Sequence, residues 1–400
     1  MIQRQLTLVF FLMIGLIGFS ACNRFQGIPK DYHPLLEKAL DKAGEKAHEL
    51  QQALDKAPEN QKEAMAFLIA HMPEQDLKEL SADFLLENVA VAYLAKEQFS
   101  WAQALPDSIF LNDVLPYASM NERRDNWRRD FFDRFTKYVA QCTDPRAAID
   151  SLNKHIRDEL KVDYNTKRRK PDQSPYESME QNMASCSGLS VLLTDAFRSV
   201  GIPSRIAGTP NWHDNRGNHN WNEVWIDGQW YFTEYYPSGL NKSWFLPDAG
   251  KADANDPEHA IFATSWKPAD QHFPLVWDST ITYVPGVNVT ERYVELYRQE
   301  EALKQLSETH TTVKVQMFKE NVCTLHGDDR VEINVDVFLG AEQVGGGRTA
   351  GPTQDMNDVL ELQLEKNKTY NFVYIGANGL KKNTSFDVKE EPATLKLYMK

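Results

Sequence analysis

The run Ser185-Cys186-Ser187-Gly188-Leu189 opens a segment in which apolar residues recur at Leu189, Leu192, Leu193, Ala196, Phe197 and Val200. That spacing is the stripe of an amphipathic helix. Gly201 supplies its stop, and Pro203 follows two residues on. Cys186 is therefore expected at the N-terminal end of a buried helix. Unpaired N–H groups and the helix dipole favour a thiolate there. Further along the chain, Asn218-His219-Asn220-Trp221-Asn222-Glu223-Val224-Trp225 reads as a strand that begins beside a histidine. A cysteine at a helix start and a histidine on a later strand are the two halves of a Cys–His nucleophile.

The hairpin after His219 offers a third group. Asp227-Gly228 between two alternating runs signals a two-residue turn. With that turn Ile226 faces Gln229, Trp221 opposes Glu234, and His219 opposes Tyr236. Directly opposed residues share a face, which places His219, Trp221, Glu223 and Trp225 with Trp230, Phe232, Glu234 and Tyr236. Glu234 is then the diagonal neighbour of His219, with Cα atoms roughly 7–8 Å apart. Its carboxylate is the candidate for fixing the imidazole's tautomer and stabilising the imidazolium. Glu223 is the rival acid on the same face, nearly two side-chain repeats away. A single bulge residue would reverse the parity. His213, in the polar loop before His219, is a rival histidine read as solvent-facing or substrate-rimming. Gln181 is read as a surface residue, with oxyanion donation as the alternative.

Composition sets the bounds. The 400 residues require more than one domain, and 42% hydrophobic with 25% charged residues is the balance of a folded soluble protein. A net charge of −13 argues against a nucleic-acid partner. The one basic run, Arg168-Arg169-Lys170, is read as a solvated loop flank. At the start, Arg4 precedes an apolar run from Leu6 to Phe19 and then Ser20-Ala21-Cys22, the pattern of a secretion signal. The small pair before Cys22 resembles a bacterial lipobox, which implies cleavage before Cys22, its lipidation, and anchoring at the membrane in the bacterial cell envelope. Beyond Cys22 only Cys142, Cys186 and Cys323 remain, too few and too scattered for a disulfide framework. With no Cys-x-x-Cys or His-Glu-x-x-His spacing, no metal and no cofactor are expected.

In order, residues 1–22 read as signal peptide and lipobox, 23–33 as a tether, and 34–144 as a helical region. Residues 145–310 form the catalytic domain and 311–400 a β-sandwich. The sandwich is inferred from alternating apolar residues at Val313 to Met317, Val331 to Val337, Leu360 to Leu364, Phe372 to Tyr374 and Leu395 to Tyr398. Gly345-Gly346-Gly347 and Asn378-Gly379 are read as turns between strands. The aromatics Trp244, Phe245, Trp266 and Trp277 are read as core packing, with lining of a substrate groove as the alternative.

The ordered set Ser185-Cys186-Ser187-Gly188, Gly201-Ile202-Pro203-Ser204-Arg205, Asn218 to Trp225 and Asp227-Gly228-Gln229-Trp230 resembles the transglutaminase-like superfamily, over about residues 145–250. The resemblance implies an α+β, papain-like core, with the cysteine on a helix packed against an antiparallel sheet. It implies Cys186 as nucleophile and His219 as its base. The family's third residue is usually an aspartate followed by proline; Thr233-Glu234-Tyr235-Tyr236-Pro237 stands at that place, leaving Glu234 as the substitute. The implied activity is cysteine-dependent acyl transfer or hydrolysis at protein or peptide amide bonds through a thioester. Eukaryotic cross-linkers of the family use calcium, but no Asp-x-Asp-x-Asp-Gly loop occurs here. The C-terminal domain is expected to bind cell-wall peptide or glycan, or to act as a spacer. The alternative function is a catalytically silent scaffold that binds peptide or glycan.

Overall fold

A computed structural model describes residues 24–236, 239–322, 327–352 and 359–400. The segment read as a secretion signal, Cys22 and Cys323 lie outside the described residues. The chain divides into two compact units between Tyr297 and Arg298. The division falls inside the helix Thr290–Thr309, ahead of the predicted boundary at 310.

The first unit begins with helices α1 (His33–Ala43), α2 (Ala47–Lys56), α3 (Lys62–His71), α4 (Glu74–Glu79) and α5 (Ala82–Gln98). After a segment of short turns come α6 (Arg128–Val139), α7 (Pro145–Leu160) and α8 (Cys186–Ser199). These do not form a separate helical domain. One hydrophobic core joins Leu36, Leu50, Leu68, Leu85, Phe131 and Ile156 to Leu192, Leu193 and Phe197 of α8. The reason lies in α8 itself, in which every residue from Ser187 to Ser199 is buried. A helix packed only on a sheet would leave Asp195 and Arg198 in water; here the preceding N-terminal region covers that side, Arg128 of α6 donating to Arg198 O at 3.3 Å, while Thr194 turns the other way and accepts from Asn222 Nδ2 at 2.9 Å. Arg198 is satisfied by carbonyls, donating through Nε to Ser204 O at 3.0 Å and through a terminal nitrogen to Ala118 O at 3.0 Å. The indole of Trp101 caps the far end of α8 by donating to Val200 O at 3.0 Å. Helix α6 starts at Arg128, so residues 121–127, inside the region read as helical, are non-helical. Trp127 is nonetheless buried, its indole bonded to Tyr117 O.

The other face of α8 packs on a six-stranded sheet. Its strands are β1 (Ser204–Thr209), β2 (His219–Ile226), β3 (Gln229–Thr233), β4 (Phe262–Thr264), β5 (Gln271–His272) and β6 (Pro285–Asn288). Their spatial order is β3-β2-β1-β4-β6-β5, and every pairing is antiparallel. This is the α+β arrangement expected, a cysteine-bearing helix on an antiparallel sheet. Asp227 and Gly228 both take positive φ (50° and 89°), as a tight primed turn requires. The register follows: Ile226 faces Gln229, Trp225 faces Trp230, and Asn222 faces Thr233.

The second unit, described by itself, is a two-sheet sandwich. Strands β7 (His310–Phe318), β8 (Asn334–Leu339), β9 (Glu342–Arg348), β10 (Leu360–Glu365), β11 (Lys368–Ile375), β12 (Lys381–Val388) and β13 (Ala393–Tyr398) form sheets ordered β9-β8-β11-β12 and β10-β7-β13. Val313, Val315, Val335, Val337, Phe372 and Leu397 fill the space between them. Gly345-Gly346-Gly347 is not a turn. It pairs within β9 opposite Val337, Asp336 and Val335. Backbone hydrogen bonding to a neighbour overrides the weak strand propensity of glycine. The same holds for β12, whose Lys381-Lys382-Asn383-Thr384-Ser385 carries no apolar alternation. It is held as the sheet edge by pairing with β11.

Candidate active site

Ser185 caps α8, its Oγ accepting the Gly188 N–H at 3.0 Å, which makes Cys186 the first helical residue. His219 opens β2, opposite Thr209 of β1. Two elements distant in sequence thus deliver the sulfur and the imidazole to one point. Cys186 and His219 line one pocket and lie close enough that each shifts the other's pKa. His219 Nε2 lies 2.8 Å from Glu234 Oε1, which leaves Nδ1 for the sulfur. The structure therefore brings Cys186, His219 and Glu234 together in a line.

Glu234 reaches the histidine by a route slightly different from the one predicted. The ladder ends at Asn222–Thr233, so the expected His219–Tyr236 pair does not form. Past Thr233 the chain turns away and is held by Asn153 of α7, whose Nδ2 donates to the Glu234 carbonyl at 2.9 Å. The carboxylate keeps the face that the register assigned, and its second oxygen accepts the hydroxyl of Ser243. Tyr236 instead swings to the cleft edge, donating its hydroxyl to Asp163 Oδ1 at 3.0 Å.

The electrostatics favour an ion pair. Burial pushes the Cys186 thiol up, but the His219 hydrogen bond and charge, the Asn220 backbone N–H and the Ser187 hydroxyl outweigh it, and the pKa is lowered. Burial pulls His219 down, yet its bonds to Cys186 and Glu234 raise it to about 9. Each group stabilises the charged form of the other, which favours the thiolate–imidazolium pair. Asn220 also ties the site to the helix, donating from Nδ2 to Ser187 Oγ at 2.8 Å. Gly208 on β1 makes room for this: a Cβ there would stand 2.0 Å from Asn220 Oδ1.

Glu223 is excluded as the third group. It is fully buried, accepts from Arg205 Nε at 2.8 Å and from the Tyr293 hydroxyl at 2.5 Å, and pairs with Arg292. Tyr293 in turn accepts from Trp221 Nε1 at 2.6 Å. This network sits under β2, and sequence reading missed it because Arg292 and Tyr293 arrive from a helix about 70 residues away. Glu223→Ala should destabilise the first unit by about 3–5 kcal/mol, since it leaves buried guanidinium charge uncompensated. Urea unfolding checks this; a change below about 1 kcal/mol would contradict the role assigned to Glu223.

The rival groups lie elsewhere. His213 Nε2 is 3.3 Å from Asp248 Oδ1. Ligand atoms of His213, Asp214 and Asp248 lie within 4.8 Å of one another. Arg216 pairs with both carboxylates and already supplies the positive charge a cation would bring. Gln181 is engaged locally, accepting the Arg169 N–H and donating to Glu177 O, and is not among the residues that line the pocket of Cys186. Of the aromatics expected in the core, Phe245 and Trp266 are buried there. Trp244 is not: it is 60% exposed and lines a pocket of about 390 Å³ together with Cys186, His219, Glu234, Tyr164 and Tyr236.

A buried helix that starts at a cysteine, against an antiparallel sheet that presents a histidine, defines a papain-like α+β cysteine domain. Residues 133–235 match the model of the transglutaminase-like superfamily, and this part of the chain is a transglutaminase-like domain. The match starts within α6, ahead of the predicted boundary at 145, and ends one residue past Glu234. Solved structures similar to the chain include a candidate cysteine protease from Cytophaga hutchinsonii, at 15% identity and TM-score 0.29, covering 48% of this chain and 66% of that one. Red sea bream transglutaminase is another, at 8% identity and TM-score 0.27, covering 66% of this chain and 57% of that one. The chain thus spans just under two thirds of the first and just over half of the second. No curated protein matches it in sequence.

Proposed function

We propose that this protein is a cysteine hydrolase or acyltransferase acting on protein or peptide amide bonds, with Cys186 as nucleophile, His219 as proton carrier and Glu234 as the carboxylate that orients it. The observation that supports this reading most is the thiolate–imidazolium–carboxylate line opening into a pocket. In the reaction, the Cys186 thiolate attacks the amide carbonyl and the negative charge moves to its oxygen. The Cys186 N–H, the first of α8, has no intrahelical acceptor and is the natural donor to that oxyanion. As the C–N bond breaks, the His219 imidazolium protonates the departing amine and leaves a thioester. His219 then takes a proton from water or from an acceptor amine, which attacks the thioester carbonyl; the acid or the new amide leaves, and the thiolate is restored. The secretion signal and the lipobox-like Cys22 support placing this activity at the bacterial cell envelope, on a lipid anchor.

Iodoacetamide labelling at pH 7 tests the nucleophile against an internal standard. Cys142 is the other free thiol among the described residues, and burial together with Asp144 pushes its pKa up. Cys186 should be alkylated at least about tenfold faster than Cys142, as its thiolate fraction dictates. Equal rates would overturn the proposal. A glutamine peptide with and without a primary amine then separates hydrolysis, read as ammonia alone, from transfer, read as the conjugate.

A further inference from the structure

Exposed Tyr and Trp residues are scarce in this molecule. Among the described residues Tyr164, Tyr236, Trp244 and Tyr283 are the exposed ones, and the first three line the pocket of Cys186. Tyr164, 51% exposed, is tied to the nucleophile's own approach: the next residue, Asn165, donates its N–H to Ala184 O at 3.0 Å, two residues before Cys186. The loop then turns back on itself. Arg168 donates through a terminal nitrogen to Asn165 O at 3.2 Å, and its guanidinium carbon lies 5.8 Å from the Tyr164 ring centroid.

Three other cations around this loop are neutralised. Arg157 pairs with Asp163 at 2.7 Å, Arg169 with Glu180 at 3.5 Å and Lys170 with Glu177 at 3.0 Å. Arg168 differs. It has no carboxylate partner among the described residues, and its Nε is buried with no hydrogen-bond acceptor. A buried guanidinium N–H without an acceptor costs free energy that a ligand can recover. The planar fork of arginine matches a carboxylate, and stacking on an aromatic ring holds the fork in place.

We propose that Tyr164 and Arg168 form a specificity subsite that recognises an acidic side chain of the acyl-donor peptide, close in sequence to the carbonyl that Cys186 attacks. The acidic side chain accepts from Arg168 while the peptide lies against the exposed face of Tyr164. This rests on the proposed function, whose amide substrate it narrows to acidic sequences. The basic run that looked like a solvated loop flank comes, at Arg168, to the edge of the cleft behind Tyr164.

The test uses blocked peptides with a central glutamine among glycines. Glutamate, glutamine or lysine is set at one of the two positions on either side. Deamidation and backbone cleavage are both read by mass spectrometry. The wild type should prefer glutamate over glutamine at one position by about tenfold in kcat/KM, the size of a charge-assisted hydrogen bond. That ratio should fall to about one in Arg168→Gln, be partly kept in Arg168→Lys, and turn in favour of lysine in Arg168→Glu. Equal turnover of the glutamate and glutamine peptides by the wild type at all four positions overturns this inference and leaves the proposed function standing. No turnover of any peptide overturns both. The wild-type ratios decide the matter even if a variant fails to fold.

Discussion

Cys186→Ala is expected to lower kcat/KM for amide turnover by at least about four orders of magnitude while the protein still folds. The loss is large because no other group in the pocket can form the acyl bond. His219 and Glu234 are spent on each other and on the sulfur, and without a nucleophile no thioester forms and the imidazolium has no departing amine to protonate. Cys186→Ser should lose nearly as much, since a hydroxyl ionises far less readily than a thiol and is the weaker nucleophile here. The fold should survive because the sulfur is half-buried at a helix start whose cap, Ser185, is untouched. Turnover of a glutamine peptide and the midpoint of urea unfolding together check both halves. Activity within tenfold of the wild type, in a folded Cys186→Ala protein, would leave the scaffold that binds peptide or glycan as the better account.

Glu234→Gln should cost on the order of a thousandfold in kcat/KM and should also move the pH profile. The substitution keeps the shape of the side chain but removes the charge beside the imidazolium. With His219 raised to about 9, turnover of the wild type should decline as the pH rises through about 9, because the neutral imidazole can no longer protonate the departing amine. On the acid side, turnover declines as the pH falls through the lowered pKa of Cys186 and the thiolate is protonated. A carboxylate raises the pKa of a neighbouring imidazolium, so its loss should shift the alkaline limb of Glu234→Gln to lower pH. A pH series of kcat/KM for both proteins measures this. An alkaline limb that stays in place, with kcat/KM little changed, would mean that Glu234 does not act through His219. Ser243→Ala should move the same limb less, because it removes only the hydroxyl that holds the second oxygen.

The pairing of Cys186 with His219 and the side on which Glu234 falls were legible in the sequence because they depend on short-range rules. Helix periodicity from Leu189 to Val200 placed the cysteine at a helix start. The Asp227-Gly228 turn assigned every residue of the hairpin to a face through one integer, the loop length. Glycines were harder. Gly345-Gly346-Gly347 looks like a turn when only local preference is counted, and it became a strand because β8 offered it hydrogen bonds.

The chain by itself therefore determined the chemistry present and its order: a thiol, an imidazole and a carboxylate on elements of known period. Only the tertiary structure decided which neighbours those elements would have. It buried the polar side of α8 under the N-terminal helices, making one core of what the sequence divides into a helical region and a catalytic domain. It bound Glu223 to Arg205, Arg292 and Tyr293 and so removed it from contention, and it turned Trp244 outward beside His219 while Phe245 went in. The physical reason is the range of the forces. Backbone torsions and side-chain periods act over a few residues, whereas desolvation and charge pairing depend on whatever the fold brings alongside, and that partner can stand anywhere in the chain.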